Sequence, residues 1–324
     1  MVSRVFGGLT GVVMPHAIGD SLYLCVLLRN LLSQGARLEL VGGVIAPLRD
    51  WFPYASHLFV PDPPAADVAG ALARYDRIVQ MYPRRVAGEY LNAGNLVSLI
   101  HQPHFGKRIH ILDSLLMIGG DMGLAGELSR DCGMRPPAAR ALRFRHFPER
   151  VVIHPTASND FKAWGAGNFV DLAHALERWG LDPCLVVSPS EWPAWKAHAG
   201  RVRIEVLPDL ADLAALIYES GWFIGNDSGV GHLASALGLP TLSLFPRNGL
   251  ARRWRPAWGR NRVVLPLPLV FPTVLKERYW RQLLPVSRVL RAFDALQAEV
   301  AGLGAHCLFD RHLGQRDRHA LFDG

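Results

Sequence analysis

Residues Phe223 to Phe245 run as a strand, a polar turn, a helix and a second strand in immediate succession, and the turn carries groups that suit a phosphate-bearing substrate. An apolar run ends at Gly225, Asn226 to Ser228 offer oxygens that cap a helix, and Gly238 with Pro240 closes that helix before Thr241. A turn placed this way in a βαβ crossover exposes unpaired helix N–H groups, which together with the helix dipole attract an anion such as a diphosphate. Ser228 and Gly229 let the backbone come close, next to the carboxylate of Asp227. His232 lies one turn further on roughly the same side, within reach of a phosphate or a sugar hydroxyl. The same spacing also describes a plain Rossmann-type crossover with a capped helix and a packed histidine.

Two further segments carry chemistry. Asp20 sits where the first strand hands over to the first helix, and there it is either a helix cap or a general base that takes the proton of an attacking hydroxyl. His154 to Trp164 follows another strand. In it Thr156 and Ser158 present hydroxyls, and Lys162, one of four lysines in the chain, is the cation suited to a departing diphosphate if it is not simply a solvated loop residue. Arg247 leaves the last strand of the crossover and leads into a basic, Trp-bearing stretch through Arg262, read here as a loop beside the nucleotide or a solvated surface. In the first half, Arg84, Arg85, Lys107 and Arg108, with His101 and His104, form a weaker candidate group for an acidic acceptor. Neither a D-x-D pair nor clustered His and carboxylates at ligand spacing occurs in these motifs, so no metal site is expected.

Asp227-Ser228-Gly229, His232-Leu233-Ala234, Ala236-Leu237-Gly238 and Pro240-Thr241 resemble the donor-binding signature of the heptosyltransferases, glycosyltransferase family 9. Gly19-Asp20 is similar to that family's N-terminal motif, and the segment from His154 to Trp164 is a further match. The resemblance implies an α/β protein of GT-B architecture, two Rossmann-like domains facing each other across a cleft. It implies an inverting, metal-independent transfer of a heptose or related sugar from a nucleotide sugar, ADP-heptose foremost, to a hydroxyl of a lipopolysaccharide or surface-glycan acceptor. Asp20 would be the base and Lys162 the stabiliser of the leaving group, with Thr156, Ser158, Asp227, Ser228, Gly229, His232 and Arg247 holding the donor. No cofactor is implied, the nucleotide sugar being a substrate. The family often has a proline near Leu24 and Cys25, absent here, and usually a proline after the tryptophan, where this chain has Gly165. The alternatives are a nucleotide-sugar epimerase or hydrolase of the same fold, and a non-catalytic sugar-nucleotide-binding subunit of a polysaccharide assembly complex. A Rossmann oxidoreductase is disfavoured, since no G-x-G-x-x-G follows the first strand.

The elements that must position these residues alternate along 324 residues, half of them apolar, enough for two domains with their own cores. Strands are expected near Gly11 to Met14, Arg37 to Val41, His57 to Val60 and Tyr75 to Met81, with helices at Ser21 to Ser33 and Asp113 to Gly119. After a Pro- and Arg-rich connector, strands at Arg150 to Pro155 and Pro183 to Ser188 alternate with helices at Gly167 to Trp179 and Asp209 to Glu219. The expected division is an acceptor domain over 1–145, a donor domain over 150–285, and a closing helix with a mobile basic tail over 286–324. A net charge of +7 favours anionic partners: a nucleotide, a phosphorylated or acidic glycan, or the inner-membrane surface contacted peripherally. No nucleic-acid-binding module is recognisable. Four scattered cysteines, without a C-x-x-C pair, fit a reducing cytoplasm, and no apolar run is long enough to span a membrane.

Overall fold

The structure, a computed structural model, describes residues 7–83, 85–86, 89–90, 94–268 and 279–302. Its contacts divide the chain into two compact units, Met1–Ala141 and Leu142–Gly324. Arg84, Lys276, Cys307 and the basic tail beyond residue 302 lie outside the described residues.

In the first unit, β1 (Leu9–Val13), α1 (Ile18–Ser33), β2 (Arg37–Val41), β3 (Phe59–Val60), α2 (Val68–Ala73) and β4 (Arg77–Gln80) alternate as α/β winding requires. A two-stranded ribbon, β5 (Arg85–Val86) and β6 (Glu89–Tyr90), precedes β7 (Leu96–Ser98) and α3 (Ile111–Asp121). The sheet runs β3-β2-β1-β4-β7, parallel throughout. Growth reverses direction between β1 and β4, so the loops at their carboxyl ends splay apart and leave a crevice, where ligands bind in open α/β sheets. Helix α1 is buried almost all round, and its one buried amide, Asn30, is satisfied by exchanging two 2.8 Å hydrogen bonds with the backbone of Ser129.

The second unit comprises β8 (Phe147–His154), α4 (Ala166–Arg178), β9 (Asp182–Val187), α5 (Trp192–Trp195), β10 (Ile204–Val206), α6 (Leu210–Glu219), β11 (Ser220–Asn226), α7 (Gly229–Ala236), β12 (Thr241–Leu244), α8 (Asn248–Trp254), β13 (Asn261–Val264) and α9 (Val286–Val300). Its sheet is parallel in the order β10-β9-β8-β11-β12-β13, and direction reverses between β8 and β11. The two central strands approach closely enough that a Cβ at Gly221 would stand 1.9 Å from the Pro148 carbonyl oxygen, beside the register shift between Ser220 and Trp222. Helix α9 buries Val289, Leu290, Phe293 and Leu296 along one stripe in the core of this unit, where Phe293 meets Trp222 edge-to-face at 5.4 Å.

Two expectations change here. Part of the basic stretch after Arg247 is not a loop: it folds into α8 and the edge strand β13, and Arg262 of that strand pairs with Glu299. Asp20 is not the cap of the first helix. That helix opens earlier, with Ala17 in extended conformation at its N-cap and no side-chain cap bond, which puts Asp20 inside the first turn.

Because Phe293 is fully buried against Trp222 and helix α9 completes the core, Phe293→Ala is expected to destabilise the protein by about 3–5 kcal/mol. Urea unfolding followed by tryptophan fluorescence checks this, as a lower midpoint at unchanged slope.

Candidate active site

In the first unit a cavity of about 400 Å³ opens at the carboxyl ends of β1 and β4, lined by Pro15, His16, Ala17 and Asp20 from one side and by Met81, Tyr82, Pro83 and Arg85 from the other. Its position is the reversal point of the sheet. Ser21 holds the entry to α1, its hydroxyl 2.9 Å from the Ala17 carbonyl and 3.2 Å from that of Pro15. Asp20 is thereby presented from the first helical turn, where peptide dipoles favour negative charge, into a pocket large enough for a sugar ring. Of the expected acceptor-binding cations Arg85 lines this cavity, whereas Lys107 and Arg108 do not. His104 Nε2 lies 3.2 Å from Oδ2 of Asp121. His16 and Tyr82 were not singled out from the sequence. A histidine four residues before the aspartate was the available signal for the first, and nothing local marked the second.

In the second unit the site grows from the ends of β8 and β11. Asn226, fully buried as the last residue of β11, accepts the Trp164 N–H at 3.0 Å and donates to the carbonyls of Pro155 at 2.8 Å and Thr156 at 3.3 Å. That draws the loop after β8 against the start of α7. Three side chains hold the loop from its other side: the Trp164 indole donates to the Leu284 carbonyl, the Trp280 indole to the Phe161 carbonyl, both at 2.8 Å, and Arg281 pairs with Asp160. Asn159 caps the short 3-10 turn Asp160–Lys162 by accepting from the Lys162 N–H. The chain then leaves through Gly165 at φ = 107°, a conformation closed to proline.

So held, Lys162 places its Nζ 2.7 Å from Oδ2 of Asp227. Asp227 is almost wholly buried, and burial raises its carboxyl above the ordinary range while the Lys162 ammonium pulls the other way. Ser228 occupies the N-cap of α7 yet makes no cap bond with its side chain. Its Oγ instead lies 3.1 Å from His154 Nδ1, while His154 Nε2 lies 3.1 Å from Thr156 Oγ1, and Thr156 donates to Glu191 Oε1 at 2.6 Å. The other oxygen of Glu191 accepts from the Ser188 N–H at 2.7 Å and the Ser188 hydroxyl at 2.8 Å. Burial pushes His154 down to about 4, with the Glu191 charge opposing, so the imidazole is neutral at neutral pH. Burial also acts to raise Glu191, but the Ser188 and Thr156 hydrogen bonds outweigh it and leave the carboxyl below its usual value.

Thr156, Lys162, Asp227, Ser228 and Gly229 are thus gathered at one switch point, and Ser158 is exposed on the same loop. His232 is buried one turn into α7, and Arg247 is exposed at the N-cap of α8, after the neighbouring strand β12. Glu191 was not anticipated as part of the site, His154 was read only as the start of its segment, and Asn226 was read as a capping oxygen, whereas its side chain accepts the Trp164 N–H instead. His154 and Asn226 end β8 and β11, neighbours in the sheet that are distant in sequence, and a serine three residues before a glutamate after β9 was the only local mark of the Glu191 turn. Among the described residues no group of three or more His, Cys, Asp or Glu side chains is arranged to hold a metal ion.

Residues 127–269 match the family model described as glycosyltransferase family 9 (heptosyltransferase). That segment belongs to glycosyltransferase family 9. Lipopolysaccharide heptosyltransferase 3 of Escherichia coli K12 is 29% identical over 202 residues, covering 57% of this chain and 56% of that protein. The chain spans about half the length of the curated relatives it matches. Among solved structures, E. coli ADP-heptose lps heptosyltransferase II superposes with a TM-score of 0.68 at 17% identity, over 90% of this chain and 99% of that one. E. coli heptosyltransferase WaaC with ADP-2-deoxy-2-fluoro heptose gives 0.64 at 15% identity, over 87% and 98%. At such identities the likeness concerns the fold, two parallel-sheet α/β domains of the GT-B class.

Because folding lowers the His154 pKa from 6.5 to about 4, the unfolded chain holds more protons than the native one within that interval, and stability falls as pH is lowered through it. His154→Gln removes the titration. The stability advantage of wild type over this variant is therefore expected to be largest above pH 6.5 and to shrink toward pH 4 in denaturant titrations, and a difference independent of pH would contradict it.

Proposed function

We propose that the protein transfers a heptose, or a closely related sugar, from a nucleotide-sugar donor to a hydroxyl of a lipopolysaccharide or other surface-glycan acceptor, with inversion at the anomeric carbon. The observation that carries this reading is the Lys162–Asp227 pair at the N-terminal end of α7, which sets a cation beside helix amides at the reversal point of a doubly wound sheet. A diphosphate fits that combination. WaaC, with the same fold, was solved with ADP-2-deoxy-2-fluoro heptose, which supports ADP-heptose as the donor. The relatives' action on lipopolysaccharide supports the acceptor class.

In this scheme the acceptor occupies the first unit's cavity with its hydroxyl against Asp20, and Arg85 faces its anionic substituents. Asp20 takes the hydroxyl proton as the oxygen bonds to the anomeric carbon, and the bond from that carbon to the diphosphate breaks with its electron pair leaving on the nucleotide. Charge grows on the departing oxygens, and Lys162 with the first N–H groups of α7 stabilises it more strongly in the transition state than in the bound donor. Thr156, Ser158, Asp227, Ser228, Gly229, His232 and Arg247 are assigned to the donor, with Lys107 and Arg108 as outlying contacts to an extended acidic acceptor. The scheme uses no metal and no cofactor, since these groups supply the positive charge themselves. Among the described residues no helix is long and apolar enough to cross a membrane, and any inner-membrane contact would be peripheral.

Turnover of ADP-heptose with a deacylated lipopolysaccharide-core acceptor, measured with and without EDTA, tests this. Asp20→Ala is expected to keep donor affinity while kcat falls by about two to four orders of magnitude. Lys162→Ala should weaken donor binding and also lower kcat by about two to three orders. Wild-type turnover should survive EDTA. Full activity in either variant removes that residue from the mechanism, and consumption of donor that ignores the acceptor would replace transfer by hydrolysis or epimerisation.

A further inference from the structure

The hydrogen bonds running from Ser188 through Glu191, Thr156 and His154 to Ser228 have only one direction open to them. Glu191 is ionised and can only accept, so the Thr156 hydroxyl gives it its proton across 2.6 Å. Thr156 Oγ1 then has lone pairs alone for His154 Nε2, 3.1 Å away, and that nitrogen must carry the imidazole proton. The buried ring is neutral, so Nδ1 is bare and accepts the Ser228 hydroxyl proton across 3.1 Å. What remains on Ser228 Oγ, at the mouth of α7, is lone-pair density.

We infer that Glu191 is a positioning residue which, through Thr156 and His154, makes the Ser228 hydroxyl an obligate acceptor, so that it takes a hydrogen bond from a hydroxyl of the donor's sugar and leaves the diphosphate to backbone N–H groups and Lys162. This rests on the nucleotide-sugar reading above and adds a selection rule to it. An oxygen offering lone pairs is repelled by a phosphate oxygen and favours a sugar that presents a hydroxyl there. A nucleoside diphosphate lacking the sugar gains nothing from it.

The chain of bonds also supplies its own reversal. In Glu191→Gln the Ser188 N–H and hydroxyl, which now meet one carboxylate oxygen, hold the amide oxygen in that place and turn the amide NH2 toward Thr156. Thr156 must then donate to His154 Nε2, the ring proton moves to Nδ1, and Ser228 turns its own proton outward. Nitrogen-15 NMR of the imidazole at pH 7 is expected to show the Nε2–H tautomer of His154 in wild type and the Nδ1–H tautomer in Glu191→Gln. In a Thr156→Val background the second substitution should leave the His154 spectrum unchanged. Calorimetric titration is expected to show the preference for ADP-heptose over ADP falling about tenfold in both Glu191→Gln and Ser228→Ala, with ADP itself bound no more weakly. An Nδ1–H tautomer in wild type, or an unaltered one in Glu191→Gln, overturns the relay. Equal weakening of both ligands places Ser228 on the diphosphate and overturns the sugar-hydroxyl assignment. If wild type binds neither ligand, the nucleotide-sugar reading fails and takes that assignment with it, while the His154 spectrum still decides the polarity of the hydroxyl.

Discussion

The buried side chain of Asn226 accepts from Trp164 and donates to the carbonyls of Pro155 and Thr156, and the second unit's site depends on that knot. It joins the end of β11 to the loop that leaves β8, two points far apart in sequence and adjacent only because the sheet reverses direction between these strands. Without it the Trp164 N–H and two carbonyls would lack partners in a dry interior, at roughly 1–3 kcal/mol for each group left unsatisfied. No aliphatic residue can substitute for an amide that both gives and receives. The Lys162–Asp227 pair and the bonds between Thr156, His154 and Ser228 are assembled on the two segments it joins.

Around that knot the site separates charge from polarity. Lys162 stands 2.7 Å from a carboxylate that burial makes expensive to ionise, and its attraction for that carboxylate offsets part of the cost. The ammonium therefore has a defined resting place beside α7 rather than a cloud of rotamers. The neutral imidazole and its hydroxyl neighbours form a second, uncharged file alongside, and burial keeps His154 in it from competing for protons at neutral pH. The first unit repeats the architectural theme at smaller scale, with a carboxylate in the first turn of a helix at the carboxyl edge of a parallel sheet.

Much of this was legible in the residues themselves. Gly225 through Thr241 announced a crossover because punctuation by Asn, Asp, Ser, Gly and Pro is local chemistry, and β11, α7 and β12 follow it closely. Asp20, Lys162, Asp227 and Ser228 could be named for the same reason, as polar residues placed just after apolar strands. Strand β13 and helix α8 were hidden because arginines dominate that stretch, and the pairing that makes Asn261–Val264 a strand is supplied by β12 rather than by any alternation of its own. Glu191 was out of reach for a different reason. Its role comes from an oxygen 2.6 Å from Thr156, 35 residues away in the chain, and no periodicity records such a meeting. The Ser228 hydroxyl likewise read as a helix cap, the commonest use of serine at that position, until a nearby imidazole offered it a better partner.

The fastening of the Lys162 loop by Trp280, Leu284 and Arg281, some 120 residues later in the chain, bears on how the protein comes into being. These anchors follow every strand of the unit's sheet in the chain, so the loop can be fastened only after residue 284 has been made. A chain ending before residue 280 would lack all three of these fastenings of the Lys162 loop.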